Sequence, residues 1–223
     1  MSTIQEKSPP PETKNRRSLL DPPALVGISG LTGCGKTETL KTLVARLSSD
    51  GYGDYGTLDC GSLPRQWARD EGKTIDEYIA TMGADLDPKI DERTLGFYRE
   101  QPLGIVAGRL ACHMSGESGK KVFRVWLYCP AEIRAARRGV NVSEITGRDE
   151  KDSARFLEGY GLTYPPAEIA AAAAGTLGHG EIQAAPFDLL ISTARYSPRE
   201  IAERIVVCGC CWERGYPYVK VHL

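Results

Sequence analysis

An α/β domain, with a five-stranded parallel sheet covered by helices on both faces, is the fold class the sequence predicts. Three observations carry that expectation. Apolar runs at 24–29, 55–59, 104–108, 123–129 and 187–193 alternate with helix patterns, which is the order of a doubly wound fold. Several of these runs, such as ALVGIS and GIVAG, are apolar or small throughout rather than at every second residue. Strands buried on both faces read that way. A glycine-rich turn joins the first run directly to the first helix pattern.

Each helix pattern has its own signal. Residues 36–48 follow the glycine turn, 74–82 begin Thr-Ile-Asp-Glu, and 130–138 begin Pro-Ala-Glu. Residues 197–206 open with Ser197 as N-cap and Pro198 at the first helical position, a favoured pairing at helix starts. Two segments break the simple alternation. Residues 60–100 are rich in charge and helix signals, and 139–186 hold GRDEKDSARFLEGYG followed by PPAEIAAAAAGTLGHGEIQAA. The alanine run has high helix propensity and little to pack, so a peripheral helix or flexible loop is expected there. Residues 1–23, with their Pro, Ser and charged residues, read as a disordered leader. Residues 208–223 read as a Cys- and aromatic-containing C-terminal tail.

Composition excludes several classes. The chain has 223 residues, suited to one domain with insertions. Its 28 basic and 29 acidic residues nearly cancel, so no overall field favours nucleic acid or an anionic membrane. No apolar run is long enough to span a bilayer, and the N-terminus lacks the apolar core of a secretory signal. The seven cysteines are odd in number and scattered, which suits reduced thiols and a cytoplasmic protein.

The strongest motif is GLTGCGKT, Gly30 to Thr37, a full G-x-x-x-x-G-K-[ST] set between a strand and a helix. Gly30, Gly33, Cys34 and Gly35 supply backbone N–H groups that converge on phosphate, helped by the helix dipole. Lys36 is placed to reach the β- and γ-phosphates of ATP, and the Thr37 hydroxyl to ligate Mg²⁺. The implied architecture is a P-loop NTPase fold. The motif does not name the phosphoryl acceptor.

Ligands of open α/β sheets bind beyond the carboxyl ends of the strands. LDCGSLPR puts Asp59 and Arg65 there after the second strand, and AGR puts Arg109 there after the third. Arginines are suited to grip a phosphate monoester in bidentate fashion. These pieces, with DPKIDER, AGRL, RAAR (134–137), RDEKDSARFLEGYG and FDLLISTARYSP, occur in the order seen in cytidylate kinases. The sequence resembles the archaeal-type branch of that family over roughly residues 24–207.

The resemblance implies an ATP-dependent transfer of phosphate to a nucleoside monophosphate, CMP or dCMP, with Mg²⁺. It implies that Arg65 and Arg109 hold the acceptor phosphate, with Asp59 beside them. It also implies a helical acceptor-binding insertion at about 60–100 and a mobile lid at about 139–162. Arg148 and Arg155 of that lid would close over the transferring group, and Arg137 would touch the ATP phosphates. Three positions depart from the family pattern. Leu110 follows the Gly-Arg pair where the bacterial branch carries a base-reading Asp, although the archaeal-type branch also tends to have Leu there. Ala107 precedes the pair where an acid is usual, and Pro64 replaces an aromatic residue. A kinase of another small metabolite, and a nucleotide-binding regulatory module without turnover, are therefore the alternative readings.

Overall fold

A computed structural model describes residues 21–167, 169, 171 and 186–215, and the backbone of 221–222. Most of the expected leader and the alanine-rich stretch beyond residue 171 lie outside the described residues.

The five expected strands are present and parallel: β1 (Leu25–Gly30), β2 (Gly56–Asp59), β3 (Gly104–Ala107), β4 (Phe123–Tyr128) and β5 (Leu189–Ser192). A two-residue strand not anticipated in the sequence, β6 (Val221–His222), pairs alongside β5. The order across the sheet is β2-β3-β1-β4-β5-β6. β1 is therefore central, and the chain passes to opposite sides of it before and after β3. That reversal opens a crevice at the carboxyl end of β1, where the glycine turn lies. With this turn leading into α1 (Lys36–Ser49), the chain has a P-loop NTPase fold.

Burial explains the strand signal. Every residue of β1, β3 and β5 is buried, so no polar face interrupts those runs. The helices α2 (Leu63–Asp70), α3 (Ile75–Met82) and α4 (Leu86–Glu100) fill the region between β2 and β3. α3 starts at a capping box, in which Thr74 and Glu77 satisfy each other's backbone N–H groups. After β3 come α5 (Ala111–Glu117), then β4, α6 (Ala131–Arg138) and α7 (Val142–Tyr160). α7 ends at Gly161 in the left-handed conformation.

The last helix, α8 (Pro198–Glu213), starts at the expected Ser197 cap, and Glu200 completes a capping box. It runs on through Cys208, Cys210 and Cys211, so the tail set off at 208 begins inside a packed helix. Trp212 lies 5.3 Å from the Phe123 ring. A Cβ at Gly209 would meet Pro23 Cδ at 2.6 Å. The cysteine-bearing end of α8 thus packs against the approach to β1, and a glycine is required at the crossing.

Candidate active site

The phosphate cradle follows from backbone conformation. Gly33 has φ +84°, and a Cβ there would lie 3.1 Å from Arg134 Cβ, so a side chain would be both strained and crowded. Gly35 is the N-cap of α1, with no side-chain cap. The first N–H groups of the helix are left without intrahelical partners and point at the cradle. Lys36 Nζ donates to the carbonyls of Gly30 at 2.7 Å and Leu31 at 2.9 Å. Burial pushes its amine below the ordinary lysine range. The ammonium is held over the cradle by neutral carbonyls, with no acid bonded to it. Cys34 is buried in the same loop, and its thiol is pushed up to about 11, so it packs rather than reacts.

Thr37 Oγ1 donates to Asp59 Oδ2 at 2.8 Å, while Gly61 N donates to Asp59 Oδ1 at 3.1 Å. The Asp59 carboxylate is thereby turned toward the cradle rather than toward Arg65. A cleft of about 770 Å³ runs from this point between α3, α4 and α7. Lys36, Thr37, Asp59, Arg65, Arg109, Arg137, Arg148 and Arg155 all line it. The structure therefore brings the expected basic residues to one cavity.

Their partners differ from expectation in instructive ways. Arg109, which has no acid near it in sequence, is ion-paired to Asp152 on α7. Arg155 bonds the same Asp152 oxygen at 2.9 Å and Asp87 at 3.1 Å. Both guanidiniums lie over the Phe156 ring, at 5.5 and 5.0 Å from its centre. Two arginines and one carboxylate thus form a charged knot at the β3 end, with net positive charge before Asp87 is counted. Arg65 is exposed and makes no hydrogen bond or ion pair with another described residue. Arg148 is also exposed and pairs with Glu144 one turn away, at 3.1 Å.

Arg137 is committed elsewhere. It donates to Thr193 Oγ1 at 3.0 Å and to the Thr193 carbonyl at 2.6 Å, which ties α6 to the end of β5. Its neighbour Arg138 lines the cleft as well. Its Cδ would sit 3.4 Å from a Cβ placed on Gly33. Arg134, one turn earlier, is the structural arginine. Only 4 % of its side chain is exposed, and it forms a fork to Asp149 at 3.0 and 2.6 Å. It also donates to Cys129 O at 3.0 Å and Thr32 O at 3.1 Å. One side chain therefore joins the cradle, the end of β4 and α7.

A cytidylate kinase from Methanococcoides burtonii is 28% identical over 144 residues, covering 60% of this chain and 77% of its own. Another, from Thermoplasma acidophilum, is 24% identical over 187 residues, covering 79% of this chain and 87% of its own. The chain is similar in sequence to these two cytidylate kinases. No family model matches it. A shikimate kinase structure from Acinetobacter baumannii, in complex with shikimate, is 17% identical with a TM-score of 0.46, covering 82% of this chain and 92% of that one. Among the described residues, no helix is long and apolar enough to cross a membrane.

Four residues of this cleft and its supports were not singled out from the sequence: Asp152, Arg134, Arg138 and Asp91. Arg148, Asp152 and Arg155 are spaced i, i+4, i+7 in α7, so helical periodicity alone puts them on one face. Nothing comparable marks Arg138 over Arg137.

Proposed function

We propose that the protein transfers the γ-phosphoryl group of ATP to a nucleoside monophosphate, most simply CMP or dCMP, giving ADP and CDP or dCDP. The observation that carries this reading is that two cationic centres face one cleft. Lys36 and the mouth of α1 form one; Arg65, Arg109 and Arg155 form the other. A cleft serving one triphosphate alone does not need the second. An acceptor phosphate bound there presents an already ionised oxygen to the γ-phosphorus. A new P–O bond forms as the bond to the β-phosphate oxygen breaks, with ADP leaving in line. The residues position the reactants and offset their charge, and no protein nucleophile is needed.

Mg²⁺ suits the cradle end. The Thr37 hydroxyl and the Asp59 carboxylate are adjacent hard oxygen donors, the kind this ion takes. When bound with ATP, the ion would supply charge neutralisation at the phosphates. On this reading Asp59 serves the metal rather than the acceptor, and covers for the acid absent at Ala107. Arg137, held by Thr193, shapes the β5 end, while Arg138 is the α6 arginine placed to reach the donor phosphates. Arg148 and Arg155 neutralise charge from the α7 side, and Asp152 holds Arg109 and Arg155 together until the acceptor phosphate arrives.

A coupled ADP-release assay across CMP, dCMP, UMP, AMP, GMP, shikimate and sugar acceptors tests the reading. Stimulation by a nucleoside monophosphate supports it, and stimulation only by a non-nucleotide acceptor overturns it. Within that assay, Arg109→Ala is expected to lower kcat/KM for the acceptor by roughly 10- to 150-fold. That corresponds to about 1.5–3 kcal/mol for a charge-assisted contact. ATP affinity, measured by calorimetry, is expected to change less than about threefold, because Arg109 lies on the acceptor side. Equal losses in both would remove Arg109 from the role.

A further inference from the structure

Lys36 Nζ rests on two carbonyls, and each of them has a second donor. The Leu31 carbonyl accepts from Lys36 at 2.9 Å and from the Cys34 N–H at 3.2 Å, all within GLTGCGKT. The Gly30 carbonyl is served differently. Pairing of β1 with β3 stops at Ile28, and at Gly30 side chains take over. Lys36 Nζ donates to this carbonyl at 2.7 Å and the Tyr164 hydroxyl at 3.2 Å. Those two bonds use the two lone pairs of one oxygen.

Tyr164 comes from outside the motif, beyond the end of α7. It is 3 % exposed. Its ring centre lies 5.6 Å from that of Trp126 on β4 and 4.8 Å, edge-on, from that of Phe156 on α7. Packing on both sides fixes the ring, and the hydroxyl with it. Burial pushes the phenol well above its ordinary range, so it keeps the hydrogen it donates. Phe156 is also the ring beneath Arg109 and Arg155. Contacts therefore run from the acceptor-side arginines through Phe156 and Tyr164 to the carbonyl that holds Lys36.

We propose that Tyr164 is a positioning residue for Lys36: it pins the Gly30 carbonyl, which in turn aims the ammonium at the transferring phosphoryl group. This role rests on the phosphoryl-transfer reading above and adds to it a residue from outside the P-loop. An ammonium has three N–H donors on a flexible stem. Two of them spent on fixed carbonyls define where the third points. The Cys34 N–H steadies the Leu31 carbonyl, and Tyr164 does the same for Gly30. Without its hydroxyl the lysine keeps its charge but loses its aim, and a small misplacement at the reacting group is felt in the rate.

A double-mutant cycle in kcat, at saturating ATP and CMP, tests this with the wild type, Tyr164→Phe, Lys36→Met and the two combined. Phenylalanine keeps the ring between Trp126 and Phe156 and removes only the hydroxyl. With Lys36 present, Tyr164→Phe is expected to lower kcat roughly three- to tenfold, the worth of one neutral hydrogen bond. In the Lys36→Met background it is expected to lower kcat by less than about 1.5-fold, because no ammonium remains to be aimed. Equal losses in the two backgrounds, or no loss with Lys36 present, overturn the proposal. Tyr160→Phe is the control, since its hydroxyl bonds Asp91 rather than the cradle, and its effect is expected to be the same in both backgrounds. If that effect also vanishes with Lys36→Met, the coupling is not particular to Tyr164 and the proposal falls. If CMP is not phosphorylated but another acceptor is, the nucleotide reading fails alone and the same cycle, run with that acceptor, decides the role of Tyr164. A protein that phosphorylates no acceptor overturns both.

Discussion

Lys36→Met is expected to lower kcat by roughly 10²–10³, the usual loss when one preorganised group facing developing charge is removed. The ammonium is held over the cradle by two backbone carbonyls, Gly30 and Leu31, which orient it and leave its charge uncompensated by any bonded acid. Methionine keeps the length and packing of the stem but brings no charge to the phosphates. Steady-state rates at saturating ATP and acceptor, with ATP affinity measured separately, check this. A fall in ATP affinity with kcat intact would make Lys36 a binding residue only.

The second large effect concerns stability. Arg134→Ala is expected to cost about 3–5 kcal/mol of unfolding free energy, the range for removing one partner of a buried ion pair. Its removal orphans the Asp149 carboxylate and frees the carbonyls of Cys129 and Thr32. The double variant Arg134→Met/Asp149→Leu is expected to recover a large part of the loss, since apolar pairs of similar volume often replace buried ion pairs without penalty. Chemical denaturation of the wild type and both variants measures this. A loss below about 1 kcal/mol for Arg134→Ala would place the pair among ordinary surface contacts.

Much of this architecture is legible in the residues. The strands were readable because β1, β3 and β5 are buried on both faces, and that leaves a continuous apolar run with little else to explain it. GLTGCGKT was readable because glycine, lysine and threonine at that spacing serve one geometry. The helix end at Glu213 was missed because the cysteines drew the boundary at 208. Yet Ile201, Ile205, Gly209 and Cys210 keep the helical spacing of buried positions, and that signal was available.

What stayed hidden depends on long-range contact. The Arg109 partner, Asp152, lies 43 residues away in sequence, on a helix whose docking no local pattern fixes. Arg137 and Arg138 are neighbours of the same type, and only the position of Thr193 after β5 decides which one is tied down. Asp59 could equally have faced Arg65 or Thr37 from the end of β2, and the packing of α1 beside it settles the matter.

The central claim is transfer between two bound nucleotides, and the most direct measurement follows the phosphorus atom itself. ATP labelled with ³²P at the γ position is incubated with the protein, Mg²⁺ and CMP, and the products are separated. The proposed function predicts label at the β-phosphate of CDP, formed in step with ADP and well above inorganic phosphate. Label found only in inorganic phosphate, or left in ATP while ATP binding is intact, would contradict it.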